Sequence, residues 1–150
     1  FKVLHDDDIK YLLKNEEIDF IKEHIPYTGI FGGEKHVFNE VLANKDKYVI
    51  KPMDMNASQG VMIGRDLDSS TWIEGLEKAF NNNYIFQEFV EPFEREFVVY
   101  EEGLKKKNLK YLVGVFLYNR KYAGMYTRVS ENNLISGIKD YYTAANVIVK

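Results

Sequence analysis

A lysine followed by a short polar loop is the part of this sequence best suited to chemistry. Lys51 follows an apolar run, Tyr48–Ile50, and a second apolar run lies at Val61–Ile63. Residues 56–60 between them are small or polar, so their backbone amides can face outward and surround an anion. A lysine beside such a loop adds a positive charge that phosphate groups bind. The pattern predicts a phosphate-binding loop; the alternative is an ordinary β-hairpin with a solvated lysine.

The bulk composition limits the class of partner. The chain has 150 residues, of which 45% are hydrophobic and 15% aromatic, enough to bury a core. Its 20 basic and 23 acidic residues give a net charge of -3, so no overall field attracts nucleic acid. The basic run Lys105–Lys107 is interpreted as a solvated turn. We therefore expect no nucleic-acid partner.

The cysteine content and the length of the apolar runs indicate the cellular compartment of the protein. The sequence has no cysteine, which excludes disulfides, zinc-thiolate sites and thiol nucleophiles. Its apolar runs are far shorter than the ~20 residues that span a bilayer, and no signal-peptide pattern opens the chain. We expect a cytoplasmic protein with no membrane partner. Because the chain begins at Phe1 and ends on an apolar run at 147–149, we also expect it to be a piece of a longer polypeptide.

The elements that position the loop follow from periodicity and turn residues. Helices are predicted at 6–13, 16–25 and 34–43, and residues 27–33 are predicted to be a connecting loop. After the phosphate loop come a helix at 71–80 and a strand at 84–90. Asp68, Ser69 or Ser70 is expected to cap that helix.

The last third of the sequence has the pattern of a sheet. Strands are predicted at 96–100, 111–118 and 122–129, and Asn119–Arg120 is expected to be the turn of an antiparallel hairpin. Shorter strands are predicted at 134–136 and 147–149. Together the segments predict an α+β fold in three parts: a helical lead-in at 1–46, a phosphate-loop subdomain at 47–87, and a hinge with an antiparallel sheet at 88–150.

Several segments, taken in order, resemble the ATP-grasp superfamily, in particular its circularly permuted branch of glutathionylspermidine-synthetase-like proteins. The matching segments are Tyr48–Pro52, Ser58–Val61, Phe86–Pro92, Arg95–Val99 and Lys121–Ser130. The resemblance covers roughly residues 25 to 150. It implies the C-terminal fragment of such a protein, with a small α/β lid subdomain, an antiparallel sheet subdomain and a partial ATP-grasp-like fold.

The resemblance implies phosphate contacts for the opening motif. Lys51 would contact the α- or β-phosphate of ATP, and Lys35 is a weaker candidate for a second phosphate lysine. Arg128 would reach the γ-phosphate and offset the charge that develops there during transfer. The loop over the triphosphate would consist of Ser58, Gln59, Gly60 and Val61.

The resemblance also implies a hinge that holds the nucleoside. This hinge would run from Gln87 to Val90, with the Glu88 carbonyl and the Val90 amide at the adenine edge and Phe89 or Val90 as an apolar wall. The ribose hydroxyls would be bound by Glu91 or Glu96, because a carboxylate accepts two hydrogen bonds from a diol. The spacing leaves the choice between these two glutamates open.

The family's magnesium ligands have no counterpart in the sequence. In the family, Mg²⁺ bridges the β- and γ-phosphates and is held by a carboxylate and a Glu-x-Asn pair. Permuted members carry those ligands before the Lys-Pro strand, and nothing upstream of Lys51 resembles them. The run Glu131–Asn133 has the right spacing but lies at a polar bend, where such residues form turns. The magnesium ligands are therefore expected in an upstream part of the polypeptide that this sequence lacks.

The function implied is the ATP-binding portion of an ATP-dependent carboxylate–amine ligase. In such a reaction ATP converts an acid to an acyl phosphate, an amine attacks it, and ADP and phosphate leave. The acid and amine are unknown, and we expect the fragment to be inactive without the remainder of its polypeptide. Two alternatives stay open: a non-catalytic ATP-grasp-like binding or scaffold module, and a small α+β domain whose loop at 53–60 docks a protein.

Overall fold

The structure is a computed structural model that describes residues 1–136 and 140–147. The chain divides into two compact units, Phe1–Val90 and Glu91–Lys150. The described residues form two four-stranded antiparallel sheets, of which the first is accompanied by α-helices. The predicted α+β class is confirmed.

The first unit contains the lysine and the polar loop. Short 3-10 helices lie at Lys2–His5, Asp7–Leu12, Lys45–Lys47 and Gly64–Asp66. In chain order the other elements are α1 (Asn15–His24), β1 (Thr28–Ile30), α2 (Lys35–Ala43), β2 (Tyr48–Pro52), β3 (Met62–Ile63), α3 (Ser69–Ala79) and β4 (Tyr84–Glu88). The strands lie in the order β1-β4-β2-β3, and neighbouring strands are antiparallel.

The predicted helices are present, with one change of type. The helices α1, α2 and α3 match the predictions to within about two residues, as expected for helix ends. The predicted helix at 6–13 is a 3-10 helix over Asp7–Leu12. At the start of α3, the Asp68 carboxylate accepts a hydrogen bond of 2.9 Å from the Thr71 amide, so Asp68 is the N-cap.

The predicted loop at 27–33 is partly wrong, because Thr28–Ile30 forms β1. This strand pairs with β4, with Gly29 opposite Phe86. The Phe86 ring lies over Gly29, and a Cβ there would be 2.5 Å from the ring. A three-residue strand with a central glycine has almost no periodicity of its own, and its pairing with β4 stabilises it instead.

The two faces of the first sheet have different roles, since successive strand residues alternate between faces. One face carries Tyr48, Ile50 and Phe86 into a core with the helix residues Trp72 and Leu76. The other face carries a polar row, which consists of the side chains of Thr28, Gln87 and Lys51. The helices α2 and α3 therefore pack on the face opposite to Lys51.

The second unit is a sheet of four strands: β5 (Phe93–Tyr100), β6 (Leu104–Tyr118), β7 (Lys121–Ser130) and β8 (Tyr142–Ala144). They lie in the order β5-β6-β7-β8. The predicted hairpin turn at Asn119–Arg120 is confirmed: both residues have positive φ, 49° and 60°. Among the described residues, the buried side chains of the small core of this unit are Val99, Leu109 and Val129.

Two predictions in this unit are wrong. Residues 105–107 belong to β6 rather than to a turn, and glutamates offset the charges of two of these lysines. Lys106 Nζ lies 2.8 Å from Glu96, and Lys107 Nζ lies 2.8 Å from Glu101. Residues 134–136 form no strand; the sheet is completed by β8. Of the predicted strand at 147–149, Val147 is not in a strand and the rest lies outside the described residues.

Within the described ranges, no helix is long and apolar enough to cross a bilayer.

Candidate functional site

Lys51 lies on the polar row of the first sheet, where its amine is held by an amide. Its Nζ donates a hydrogen bond to Gln87 Oε1 on the neighbouring strand β4. Gln87 pairs with Val49 in the strand register, whereas the backbone of Lys51 lies opposite Ile85. The lysine side chain therefore leans along the sheet toward the end of β4.

The lysine begins a chain of hydrogen bonds across the sheet. Gln87 Nε2 donates to Thr28 Oγ1 at 2.7 Å, and the Thr28 hydroxyl donates to the Pro26 carbonyl at 3.1 Å. Thr28 is 2% exposed and Gln87 is 7% exposed. Such buried polar groups are stable only when they are hydrogen-bonded, so the chain fixes the position of both side chains.

Burial lowers the pKa of Lys51 below the ordinary value for lysine. Desolvation disfavours the charged ammonium. In the part of the chain that the structure describes, no carboxylate lies within 4.0 Å of the Lys51 amine to offset this effect. A partly buried cation without a counter-ion is suited to bind an anion from solution.

A cavity of about 440 Å³ opens at the end of β4. This volume falls within the ~300–1,000 Å³ typical of small-molecule sites. Its lining includes Phe89 and Val90, the cations Lys47 and Arg65, the carboxylate of Asp46, and residues 22–26 at the end of α1 and directly after it. The Arg65 guanidinium lies 4.4 Å from the centre of the Phe89 ring, which gives one wall a flat aromatic and cationic surface.

Of the predicted hinge residues 87–90, the last three line this cavity and Gln87 does not. Glu88 is tied to Tyr27: its amide donates to the Tyr27 carbonyl at 2.9 Å, and its Oε2 accepts from the Tyr27 amide at 2.9 Å. Val90 is 66% exposed, and its amide donates to no other group among the described residues. A free amide at a cavity mouth is a hydrogen-bond donor for a ligand.

The predicted phosphate loop consists of two successive turns. The Gln59 amide donates to the Asn56 carbonyl at 3.1 Å, and the Val61 amide donates to the Ser58 carbonyl at 3.4 Å. Gly60 lies against Pro52 and Tyr84, on the α2 and α3 side of the sheet. The loop and the Lys51 amine therefore flank the end of β2 from different faces.

Lys35, the weaker second phosphate lysine, is the first residue of α2 and is exposed. The helix that it begins buries Val41 in the core beneath the other face of the sheet. The structure shows no contact between Lys35 and the Lys51 network among the described residues.

Three predicted ligand residues belong to the second unit. Glu91 is its exposed first residue. Glu96 on β5 lies 2.8 Å from Lys106 Nζ. The Arg128 guanidinium lies 4.8 Å from the centre of the Tyr126 ring and 5.7 Å from that of Tyr141. Glu96 and Arg128 thus have partners within their own unit.

The run Glu131–Asn133 does not fit a magnesium site as it stands. Glu131 Oε1 accepts from Lys107 Nζ at 3.0 Å, and Asn133 Oδ1 accepts from Lys110 Nζ at 2.7 Å. An ammonium bound to each oxygen competes with a cation for the same lone pairs. Across residues 1–136 and 140–147, no cluster of three or more His, Cys, Asp or Glu is arranged to hold a metal ion.

Sequence reasoning missed Thr28, Arg65 and the α1 wall of the cavity. The aromatic and β-branched residues around Thr28 were a weak strand signal, which the glycines at 29, 32 and 33 obscured. Arg65 had no signal, since its contact with Phe89 joins residues far apart in sequence. No protein-family model matches this chain, and comparison with curated proteins finds no significant relative.

Proposed function

We propose that this chain is the ATP-binding portion of an ATP-dependent carboxylate–amine ligase of the ATP-grasp type. One observation carries the proposal: a partly buried lysine amine without a counter-ion lies on the same sheet as a ligand-sized cavity. Gln87, which holds the amine, and Phe89 at the cavity are two strand residues apart, or about 7 Å. A nucleotide has its base and its phosphates separated along one molecule, which suits this arrangement.

The base and the phosphates of the nucleotide each have a partner in this proposal. The base enters the cavity beside Phe89 and accepts a hydrogen bond from the Val90 amide, and the stacked Arg65 and Phe89 offer it a flat surface. The Lys51 ammonium binds an α- or β-phosphate oxygen. The loop at 58–61 contacts the triphosphate at the end of β2, from the face of the sheet opposite to the Lys51 amine.

Thermal unfolding with nucleotides tests the proposal. A ligand at about 100 times its Kd stabilises a fold by roughly 2.7 kcal/mol, which raises the melting temperature measurably. We expect ATP to raise it, Lys51→Ala to abolish the rise, and Lys78→Ala to preserve it, because Lys78 is an exposed lysine on α3 with a side chain that is 81% exposed. If ATP, ADP and AMP leave the wild-type melting temperature unchanged at millimolar concentration, the proposal is wrong.

A protein-docking role has one observation in its favour. Met53 and Met55 in the loop are 47% and 55% exposed, and flexible thioethers suit adaptable protein contacts. The same experiment separates the two roles. If the loop docks a protein, nucleotides do not shift the melting temperature. If the chain is an inactive nucleotide-binding module, nucleotides shift the melting temperature, but the longer polypeptide forms no ADP from any mixture of acid and amine.

A further inference from the structure

The hydrogen-bond chain behind Lys51 has a fixed direction. Thr28 Oγ1 lies 3.1 Å from the Pro26 carbonyl, which can only accept, so the hydroxyl hydrogen is used there. The hydroxyl oxygen must then accept from Gln87, whose Nε2 lies 2.7 Å away. The Gln87 amide is thereby oriented with its oxygen toward Lys51.

Burial leaves this orientation without an alternative partner. Thr28 and Gln87 are 2% and 7% exposed, so water cannot replace either bond without opening the sheet. The strand register reinforces the arrangement, because Gln87 pairs with Thr28 on one side and with Val49 on the other. The lysine amine thus meets an acceptor whose position is set by two strands.

The acceptor is neutral, which separates Lys51 from Lys45, Lys106 and Lys107, although Lys110 also donates to an amide oxygen, that of Asn133. Lys45, Lys106 and Lys107 each lie within 3.2 Å of a carboxylate, which neutralises the ammonium. An amide oxygen accepts the same hydrogen bond but leaves the positive charge uncompensated. An incoming anion then has no internal carboxylate to displace.

We propose that Gln87 and Thr28 are positioning residues for Lys51: they hold its amine at one place on the sheet, without a counter-charge, so that it binds an anionic phosphate oxygen. The inference rests on the proposed function, which assigns that oxygen to ATP. It adds Thr28 to the site and gives Gln87 a role apart from the hinge.

Exchanging the amide for a carboxylate tests the charge argument. Gln87→Glu keeps the size of the side chain and an acceptor for Lys51 but adds a negative charge. We expect the pKa of Lys51 to rise, as measured by NMR on protein labelled at the lysine side chains. We expect the affinity for ATP to fall by about tenfold or more. Simple structural damage would lower the melting temperature without raising that pKa.

Removing the hydroxyl tests the positioning argument. Thr28→Val keeps the shape but deprives Gln87 Nε2 of its acceptor, so the amide can rotate. We expect ATP binding to weaken by about threefold to tenfold without the rise in pKa that Gln87→Glu produces, while Thr143→Val, at an exposed position of β8, changes neither. Thr28→Val still tests the positioning role if the Gln87→Glu variant does not fold.

Pyrophosphate separates failure of this inference from failure of the proposed function. If wild type binds pyrophosphate but not ATP, and Gln87→Glu weakens that binding, the positioning role holds and the nucleotide assignment is wrong. If wild type binds neither anion, or if both variants bind like wild type with an unchanged pKa of Lys51, the positioning role is overturned.

Discussion

At the scale of single residues, the chemistry of this chain depends on what each charged group is paired with. The Lys51 ammonium is hydrogen-bonded to an amide, whereas Lys106 and Lys107 are paired with glutamates. The residue type is the same in each case, but only an uncompensated cation is free to bind a phosphate. The candidate site is therefore defined by the partner of the lysine as much as by the lysine.

The polar loop contains backbone strain at two residues that are not glycine, Ala57 and Ser58. Ala57 has φ of 56°, a left-handed conformation that costs residues with a Cβ about 1–2 kcal/mol. Glycine avoids that cost but adds about 0.5–1 kcal/mol of unfolded-state entropy. We expect Ala57→Gly to stabilise the fold by about 0.5–1 kcal/mol, measured by urea unfolding.

Gly60 is the matched position with the opposite expectation. Its φ is 69°, and a Cβ there would lie 3.2 Å from Pro52 Cγ. Gly60→Ala should therefore destabilise the fold by about 1–2 kcal/mol. Equal effects of the two substitutions would show that the loop does not adopt these turns in solution.

At the scale of elements, one charge cluster joins three parts of the second sheet. Lys107 on β6 contacts Glu101, in the turn after β5, and Glu131, after β7, at 2.8 and 3.0 Å. The Tyr142 hydroxyl on β8 donates to the same Glu101 carboxylate. The cluster is thus the polar link between β8 and the opposite edge of the sheet.

This cluster makes the second unit sensitive to acid. The hydrogen bond from Lys107, followed by that from Tyr142, lowers the pKa of Glu101 from an ordinary 4.5 to about 2. Because the pKa is lower in the folded state, the stabilisation is complete above about pH 4.5 and is lost as the pH falls toward about 2. We expect the protection of the β8 amides, measured relative to the intrinsic exchange rate at each pH, to fall across that range.

Substitution of Glu101 provides the control. Glu101→Gln should remove most of the pH dependence in β8, because the side chain no longer titrates. Glu74→Gln, in an exposed pair with Lys78 on α3, should not affect β8. A β8 whose exchange shows the same acid dependence in wild type and Glu101→Gln would contradict the assignment.

At the scale of the whole molecule, the two units have cores of different size. The first buries eight side chains in one cluster, including Trp72, Ile50 and Leu76. Among the residues that the structure describes, the cluster of the second consists of Val99, Leu109 and Val129, and its β6–β7 hairpin exposes Val115 at 55%. Since burial of apolar area is the main stabilising contribution, we infer that the first unit is the more stable one.

Hydrogen exchange tests this difference between the units. Amides of β2 and β4 should exchange more slowly than those of the β6–β7 hairpin, because exchange follows the free energy of local opening. Leu109→Ala should cost about 2–5 kcal/mol and accelerate exchange more in the second unit than in the first. Slower exchange in the hairpin than in β2 and β4 would refute the ranking.

The sequence by itself determined the elements that local interactions stabilise. The helix α3 has its own cap at Asp68 and its own apolar stripe. The turn at Asn119–Arg120 has residues that tolerate positive φ, and it is preceded by a long segment with a strand pattern. In these cases the deciding contacts are a few residues apart, so a reading of the sequence can find them.

Only the tertiary structure decided the partners of the site residues. Lys51 and Gln87 are 36 residues apart, and Gln87 and Thr28 are 59 apart. A three-residue strand such as β1 forms only when a neighbouring strand pairs with it, so the local signal around Thr28 was too weak to predict the strand. Pairing over such separations depends on strand order and register, which residue types alone leave open. The sequence thus pointed to the lysine, and the fold supplied the neutral partner that leaves its charge free.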